Sequence, residues 1–237
     1  MEEMMFFKNI GQLLNSFLDR FGYRIVNSKR LVDFYLHKYK SYEEYKAIQI
    51  QHNIRKISKV WADQDTLSLM CSTLKKEMGS TSPLRGLCHG SRNGFEQKFI
   101  SSVEGFYAIG TDISPTATDY ENSVQWDFHE VNEDWVGKFD FVYSNSLDQS
   151  WNPRAALAVW LNQVHVGGCV VIEHTEAHGP MGASEMDPFG VRPSVMPYIL
   201  AEWFGFNISI QIIKSKKGNM DRDVWLFFIK KLSEVVN

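Results

Sequence analysis

The sequence has few of the features that mark several common protein classes. Its 237 residues include only three cysteines, Cys71, Cys88 and Cys169, and no two of them have CxxC spacing. This excludes a disulfide framework and argues against a zinc site, and it is typical of a reducing compartment, so we expect a cytoplasmic location. No apolar run is long enough to span a membrane, and the N-terminus does not resemble a signal peptide.

An excess of positive charge is also missing. The formal net charge is −3, whereas proteins that bind nucleic-acid duplexes usually present a basic face. We therefore expect a small-molecule partner and no nucleic acid. Hydrophobic residues make up 44% and charged residues 22%, which is ordinary for a soluble globular protein, and the length fits one large domain with an extension.

Residues 1–79 predict an N-terminal helical cap. Apolar residues recur at helical spacing from Phe6 to Phe21, and Gly22 follows as a C-cap. "LVDFYLHKY" predicts a second, short helix. Ser41 and Glu44 form a capping-box pattern at the start of a third helix, and "DQDTLSLMCSTLKKEM" predicts a fourth. The third helix carries a polar stripe at helical spacing, which consists of Tyr45, Gln49 and His52 or Asn53. We expect this stripe to face solvent, although its side chains could touch a ligand.

From residue 80 to residue 237, short apolar runs alternate with helical stretches. The predicted strands are LRGLC, YAIGTD, VQWDF, FDFVYSNS and GGCVVIEH, and the predicted helices are FEQKFISS, PRAALAVWLNQV and SVMPYILAEWFG. This alternation predicts a parallel sheet. Only a polar loop separates the last two strands, FNISIQIIK and DVWLFFIKK, so they must be antiparallel. The predicted fold is α/β: a doubly wound, mostly parallel seven-stranded sheet with a terminal antiparallel hairpin.

The stretch "GLCHGSRNGFE" after the first of these strands has the character of a ligand-binding loop. Gly90 and Gly94 would let the backbone approach a ligand. Asp112 ends the next strand 22 residues after Gly90, which suits a carboxylate that binds ribose hydroxyls. Asp127 ends the strand after that. A tight turn and a strand-end cap would explain each feature separately, but their order favours a nucleotide-like ligand.

Residues 84–237 resemble the class I S-adenosylmethionine-dependent methyltransferases. "GLCHGSRNGFE", "AIGTDIS" and "VQWDF" are similar to the first three motifs of that family, and the final hairpin resembles its reversed seventh strand. The resemblance implies a Rossmann-like methyltransferase domain with S-adenosyl-L-methionine as cofactor. It also implies a cofactor site formed by His89, Gly90, Arg92, Asn93, Gly94, Asp112, Ile113, Asp127, Phe128 and Ser144.

Two positions depart from the pattern of the family. Cys88 stands where the family has an acid, and Arg92 stands where it has a glycine. Arg92 has two interpretations: its guanidinium binds the methionyl carboxylate of the cofactor, or its side chain lies on the surface of the loop.

Methyl transfer to a hydroxyl needs a general base as well as alignment of the acceptor with the methyl group. The candidate catalytic residues, Asp148 and His174, follow the fourth and fifth strands of the domain, and Glu173 and His178 are further candidates. Each has a structural alternative, because Asp148 could belong to a helix N-cap and His174 could form a strand-end hydrogen bond. No ligand spacing indicates a metal site.

The expected acceptor is a small molecule or a glycan. "LLNSFLDRFGYRIV" is similar to the leader helices of glycan-cluster methyltransferases, which implies a glycan acceptor and peripheral contact with a membrane. The irregular loop also fits a non-catalytic binding module of the same fold. An NAD(P)-dependent dehydrogenase is a third interpretation, but the Tyr-x-x-x-Lys pair that we find, Tyr42 and Lys46, precedes the loop.

Overall fold

Two β-sheets organise the chain in this computed structural model, which describes residues 13–30, 32–79, 82–217 and 222–234. The smaller sheet pairs β1 (Phe34–Leu36) with β7 (Phe189–Val191). The larger sheet has seven strands: β2 (Leu84–His89), β3 (Phe106–Asp112), β4 (Ser123–Gln125), β5 (Phe139–Ser144), β6 (Val164–His174), β8 (Ile208–Lys217) and β9 (Arg222–Lys231).

The larger sheet has the order β4-β3-β2-β5-β6-β9-β8. Strands β2 to β6 pair with one another in parallel. Strand β9 is antiparallel to both β6 and β8. The predicted fold, a mostly parallel seven-stranded sheet that ends in an antiparallel hairpin, is therefore confirmed.

Five helices lie between these strands: α1 (Tyr42–Arg55), α2 (Gln64–Met78), α3 (Phe95–Ser102), α4 (Pro153–Gln163) and α5 (Met196–Phe204). The caps predicted from sequence are present. The Ser41 hydroxyl accepts a hydrogen bond from the Glu44 backbone N–H at the start of α1. Helix α2 ends at Gly79, which is in the left-handed conformation.

The core lies on both faces of the larger sheet, as expected of a doubly wound fold. On one face, Trp160 of α4 and Leu200 of α5 pack with residues of β2, β5 and β6. On the other face, Leu74 of α2 and Ile100 of α3 pack with residues such as Phe141. Helix α2 falls within the predicted cap and yet packs on the sheet. The boundary at residue 79 stays a prediction.

The helix predicted for "LVDFYLHKY" is wrong. Phe34 to Leu36 form strand β1, whose backbone pairs with β7 in antiparallel register. The Phe34 ring also packs against the Phe189 ring, with 5.8 Å between centroids. Pairing with a distant segment has here overridden the local helical pattern.

The first predicted helix is only partly within the described residues. Residues 13–18 are helical and Gly22 is a left-handed C-cap with φ 78°, as predicted, whereas the part from Phe6 to residue 12 lies outside the described residues. Among the helices that the structure describes, none is long and apolar enough to cross a membrane.

Candidate active site

The glycine loop joins β2 to α3 at the carboxyl edge of the larger sheet. Gly90, Arg92 and Gly94 all have positive φ, at 71°, 44° and 77°. At Gly90 a side chain would not fit, because an added Cβ would lie 2.5 Å from the Ser146 Oγ. Strands β3 and β5 flank β2 on opposite sides, so the loop lies at the switch point where open α/β sheets bind ligands.

The Asp112 carboxylate lies directly beside this loop. Its two oxygens accept hydrogen bonds from the backbone N–H groups of Arg92, at 3.0 Å, and Ser114, at 2.9 Å. Only 5% of the residue is exposed, and this burial raises the pKa of the carboxyl group. The end of β3 therefore holds a carboxylate that is fixed in orientation by the glycine loop.

A small cavity of about 20 Å³ brings together five of the predicted cofactor residues. These are Gly90, Asp112, Ile113, Asp127 and Phe128. Gln149, which the sequence did not single out, completes the lining together with three residues of the polar stripe for which ligand contact was the less favoured alternative: Tyr45, Gln49 and Asn53. The loop, the two strand-end acids and their neighbours thus form one site.

Asp127 is held by three hydrogen bonds. Its carboxylate accepts from the backbone N–H of His129 at 2.9 Å, bonds the His129 Nδ1 at 2.7 Å, and accepts from the hydroxyl of Tyr42. Burial alone would raise its pKa, but the bonds from His129 and Tyr42 outweigh it and hold the pKa below its usual value. Asp127 is therefore an ionised hydrogen-bond acceptor at the edge of the cavity.

Helix α1 closes one side of the small cavity. The Tyr45 hydroxyl donates to the Gln149 carbonyl at 3.0 Å, the Gln49 side chain donates to the Met186 carbonyl at 3.1 Å, and the Asn53 side-chain oxygen accepts from the Thr116 hydroxyl at 3.3 Å. The interpretation of this polar stripe as a solvated face is wrong, since all of its members are buried. Pockets for small ligands usually enclose about 300–1,000 Å³. In this closed position of α1, the cavity itself is smaller than such pockets.

A second, larger cavity of about 440 Å³ shares Gln149 with the first. Its lining includes Asp148 and His178, two of the candidate bases, together with Trp61 and Asp187. The Asp148 Oδ2 lies 3.5 Å from the His178 Nε2. The Asp148 Oδ1 is buried and forms no hydrogen bond among the described residues. Burial, with the nearby charge of Asp187, raises the pKa of Asp148 well above its usual value.

Arg92 and Asn93 attach the glycine loop to the turn that follows α1. The Arg92 Nη1 donates to the Lys59 carbonyl at 3.2 Å, and the Asn93 side chain donates to the Ile57 carbonyl at 2.8 Å. The Arg92 side chain lines the larger cavity. Its Nε is buried and has no hydrogen-bond partner among the described residues. The guanidinium can therefore still bind a ligand.

His89 and Ser144 lie behind the loop. The His89 ring bonds the Thr111 Oγ at 2.7 Å and the Gln163 Oε1 at 2.8 Å, and burial lowers its pKa to about 4. The Ser144 hydroxyl donates to the His89 carbonyl at 3.0 Å. Neither residue lines either cavity. The His89 side chain was predicted to belong to the cofactor site, and it instead forms hydrogen bonds in the core.

His174 is also directed into the protein. It is 2% exposed, its Nε2 donates to the Val191 carbonyl at 2.8 Å, and burial lowers its pKa to about 4. Its neighbour Glu173 accepts a hydrogen bond from the Tyr143 hydroxyl at 2.6 Å. Neither residue lines either cavity, so the structural alternative fits His174 better than the role of base. Asp148 and His178 are the candidate bases that face the larger cavity.

The same fold occurs in solved structures of methyltransferases whose sequences have diverged far from this chain. The Burkholderia thailandensis 1,6-didemethyltoxoflavin-N1-methyltransferase, solved with bound 1,6-didemethyltoxoflavin and S-adenosylhomocysteine, is 13% identical, with a TM-score of 0.63 over 83% of this chain and 93% of that one. The plantazolicin methyltransferase BamL, in complex with a triazolic desmethylPZN analogue and S-adenosylhomocysteine, is 12% identical, with a TM-score of 0.59 over 80% and 97% of the two chains.

A third structure is the magnesium protoporphyrin IX methyltransferase of Synechocystis with bound S-adenosylmethionine. It is 12% identical, with a TM-score of 0.52 over 82% of this chain and 100% of that one. No protein-family model matches the sequence, and no curated protein sequence matches it significantly. The likeness therefore lies in the arrangement of the strands and helices, and this chain has the fold of the class I S-adenosylmethionine-dependent methyltransferases.

Proposed function

We propose that this protein is an S-adenosylmethionine-dependent methyltransferase that acts on a small-molecule acceptor. The observation that supports this most strongly is the small cavity, where the Gly90 backbone, Asp112 and Asp127 meet at the switch point of the sheet. Two strand-end carboxylates suit a nucleoside, because one can accept hydrogen bonds from the ribose hydroxyls and the other from the adenine amino group.

The residues present fit such a cofactor. In this proposal Asp112 binds the ribose and Asp127 binds the adenine amino group. Ile113 and Phe128 lie beside the base, and the backbone at Gly90 makes the close approach that a side chain would block. The unpartnered Arg92 Nε supports a bond from the guanidinium to the methionyl carboxylate.

Asn93, Gly94, Ser144 and His89 act indirectly in this proposal. Asn93 holds the loop to the turn after α1, Gly94 starts α3, and Ser144 bonds the His89 carbonyl at the base of the loop. We therefore propose that these four residues shape the loop, whereas Gly90, Arg92, Asp112 and Asp127 contact the cofactor.

The larger cavity contains the residues that act on the acceptor in this proposal. A cofactor held by Arg92, Asp112 and Asp127 would supply a methyl group on a sulfonium, and transfer of that group to the acceptor oxygen would leave a thioether. Asp148 accepts the proton of the acceptor hydroxyl. His178, whose Nε2 lies 3.5 Å from the Asp148 Oδ2, orients this carboxylate. The turn after α1 and Trp61 line the same cavity.

Methyltransferases of this fold that act on didemethyltoxoflavin and plantazolicin support a small-molecule acceptor. A hydroxyl target, a glycan acceptor and a cytoplasmic location stay predictions. Peripheral membrane contact also stays a prediction, and it is supported by exposed apolar side chains in the N-terminal segment, such as Leu13, Phe17 and Phe21.

Calorimetric titration with S-adenosylhomocysteine and with NAD(H) tests the cofactor. Asp112→Ala should weaken binding of S-adenosylhomocysteine by about 10- to 100-fold, because a buried charged hydrogen bond contributes roughly 1.5–3 kcal/mol. Asp140→Ala is the matched control. Its carboxylate accepts from the Arg85 backbone N–H at the opposite end of the sheet, and the variant should bind normally. Tight binding of NAD(H), or equal losses in both variants, would contradict the proposal.

Release of S-adenosylhomocysteine in the presence of hydroxylated acceptors tests the reaction. Asp148→Asn should lower the methylation rate by about 100-fold or more while the affinity for S-adenosylhomocysteine stays the same, because general base catalysis contributes roughly 10²–10⁴-fold. Normal cofactor affinity without methylation of any acceptor would instead support the non-catalytic binding module.

A further inference from the structure

Three cationic side chains line the larger cavity: Lys56, Lys59 and Arg92. Lys56 follows the last residue of α1, Lys59 lies three residues further along the same turn, and Arg92 comes from the glycine loop. Within the described part of the chain, none of the three forms an ion pair with a carboxylate. Their charges are therefore available to a ligand in the cavity.

The turn that carries the two lysines is fixed in place. The Lys59 backbone N–H donates to the Lys56 carbonyl at 2.8 Å, which closes the turn. Arg92 and Asn93 then bond the Lys59 and Ile57 carbonyls from the glycine loop. These bonds engage the backbone of the turn that lines the cavity, and among the described residues they leave both lysine ammonium groups without a carboxylate partner.

The acidic residues of the cavity neutralise these cations only in part, since the charge of Lys56 acts on Asp148. Asp148 and Asp187 are the carboxylates that line it, and neither lies within ion-pair distance of Lys56 or Lys59. The lining holds three cationic side chains, Lys56, Lys59 and Arg92, against these two carboxylates. Among the described lining residues, positive charge therefore exceeds negative charge.

We propose that the acceptor carries an anionic group, a carboxylate or a phosphate, and that Lys56 and Lys59 bind it while the acceptor hydroxyl lies at Asp148. This inference rests on the proposed function, in which Arg92 binds the carboxylate of the cofactor and the two lysines remain for a second anion. Trp61 and Val60 line the same cavity and offer an apolar surface to the body of the acceptor.

The charge requirement can be tested with three small probes of similar shape: benzoate, phenyl phosphate and uncharged benzamide. Each is titrated into the full chain, with and without saturating S-adenosylhomocysteine, by ligand-observed NMR. At least one anion should bind about tenfold more tightly than benzamide, because charge-assisted hydrogen bonds are roughly twice as strong as neutral ones. The preferred anion identifies the group as a carboxylate or a phosphate.

Substitution of the two lysines tests whether the anionic probes bind in this cavity. Lys56→Met and Lys59→Met should each weaken binding of the anion by about fivefold, since both side chains are at least partly exposed to solvent. Lys56→Arg keeps the charge and should retain most of the affinity. Lys98→Met, at an exposed lysine of α3 beside a different pocket, is the control and should bind as the wild type does.

Three results would overturn the inference: benzamide that binds as tightly as the anions, anion affinity that the Lys56 and Lys59 substitutions leave unchanged, or no binding of either anion at millimolar concentrations. A failure of the proposed function is distinguishable, because it shows as absent binding of S-adenosylhomocysteine in its own titration. The probe titrations on the free protein would then still report on the cationic cavity.

Discussion

The contact between Tyr42 and Asp127 predicts that Tyr42→Phe binds S-adenosylhomocysteine more tightly than the wild type. The Tyr42 hydroxyl donates to the carboxylate that we assign to the adenine amino group. In the same closed position α1 reduces the nucleoside cavity to about 20 Å³. A nucleoside that binds Asp127 as proposed must displace the Tyr42 hydroxyl from that carboxylate, so this bond lowers the apparent affinity.

The size of the effect follows from the bonds that hold α1 closed. Tyr42 bonds Asp127, Tyr45 bonds the Gln149 carbonyl, and Gln49 bonds the Met186 carbonyl. A hydrogen bond to a charged group contributes about 1.5–3 kcal/mol. Because Tyr42 is only partly buried, we take the lower end, about 1.5 kcal/mol. If the closed position dominates, its loss raises the apparent affinity by roughly tenfold.

Calorimetric titration of S-adenosylhomocysteine into the wild type and Tyr42→Phe measures this difference. Tyr107→Phe is a matched control, because that hydroxyl is exposed and contacts only the Asn122 side chain, at 3.5 Å. Equal or weaker binding by Tyr42→Phe would refute the reasoning, since it would mean that the hydroxyl does not compete with the cofactor for Asp127.

Three further predictions follow from single residues. Gly90→Ala should abolish measurable binding of S-adenosylhomocysteine, because the new Cβ would lie 2.5 Å from the Ser146 Oγ. Gly137→Ala is the control for backbone strain without crowding, because Gly137 has a similar φ of 64° and no atom lies within 4 Å of its added Cβ. Burial raises the pKa of Glu96 from 4.5 to about 7, so wild-type stability should fall as the pH rises through that window. In urea unfolding, the free energy of unfolding of Glu96→Gln should therefore exceed that of the wild type by up to about 3 kcal/mol above pH 7 and by little below pH 4.5. A difference that does not vary with pH would contradict this. Arg92→Asn should keep the unfolding free energy within about 1 kcal/mol, because asparagine tolerates a left-handed backbone. The same variant should weaken binding of S-adenosylhomocysteine by about tenfold, and unchanged affinity would place Arg92 outside the site.

The features of the fold that depend on local chemistry could be predicted from the sequence. The Ser41 and Glu44 cap, the strands of the sheet and the closing hairpin each depend on residues that are near one another in the chain. Asp112 and Asp127 could be placed at one edge because parallel strands bring their carboxyl ends together. These predictions needed only the order of the elements.

The direction of a side chain at a strand end could not be predicted in the same way. His89 and His174 each lie at the last position of a strand. Which face a side chain takes depends on the register of the sheet, and what it meets there depends on distant residues such as Gln163 and Val191. Both imidazoles form hydrogen bonds in the core and therefore lie away from the cavities.

The sequence of helix α1 contains a signal of its contact with the cavity. Its buried stripe of Tyr45, Gln49, His52 and Asn53 carries no carboxylate, lysine or arginine, and burial lowers the pKa of His52. The charged residues Glu43, Lys46 and Arg55 lie at other positions on the helix. A solvated face usually contains lysine or glutamate, because these residues are the least often buried. An uncharged polar stripe on a helix before a glycine loop therefore indicates contact with a polar cavity.

Arg92 shows how the irregular loop keeps its shape without the usual glycine. A residue with a side chain in the left-handed region costs about 1–2 kcal/mol relative to its preferred conformation, and Arg92 has a φ of 44°. Such strain persists only where the surroundings impose it. Here the Arg92 backbone N–H donates to the Asp112 carboxylate and its side chain donates to the Lys59 carbonyl, so one residue joins Asp112 to the turn after α1. A glycine would remove the strain and also the guanidinium. The bond to the Lys59 carbonyl offsets part of the strain that arginine imposes here, and a ligand for the buried, unpartnered Nε would offset more of it.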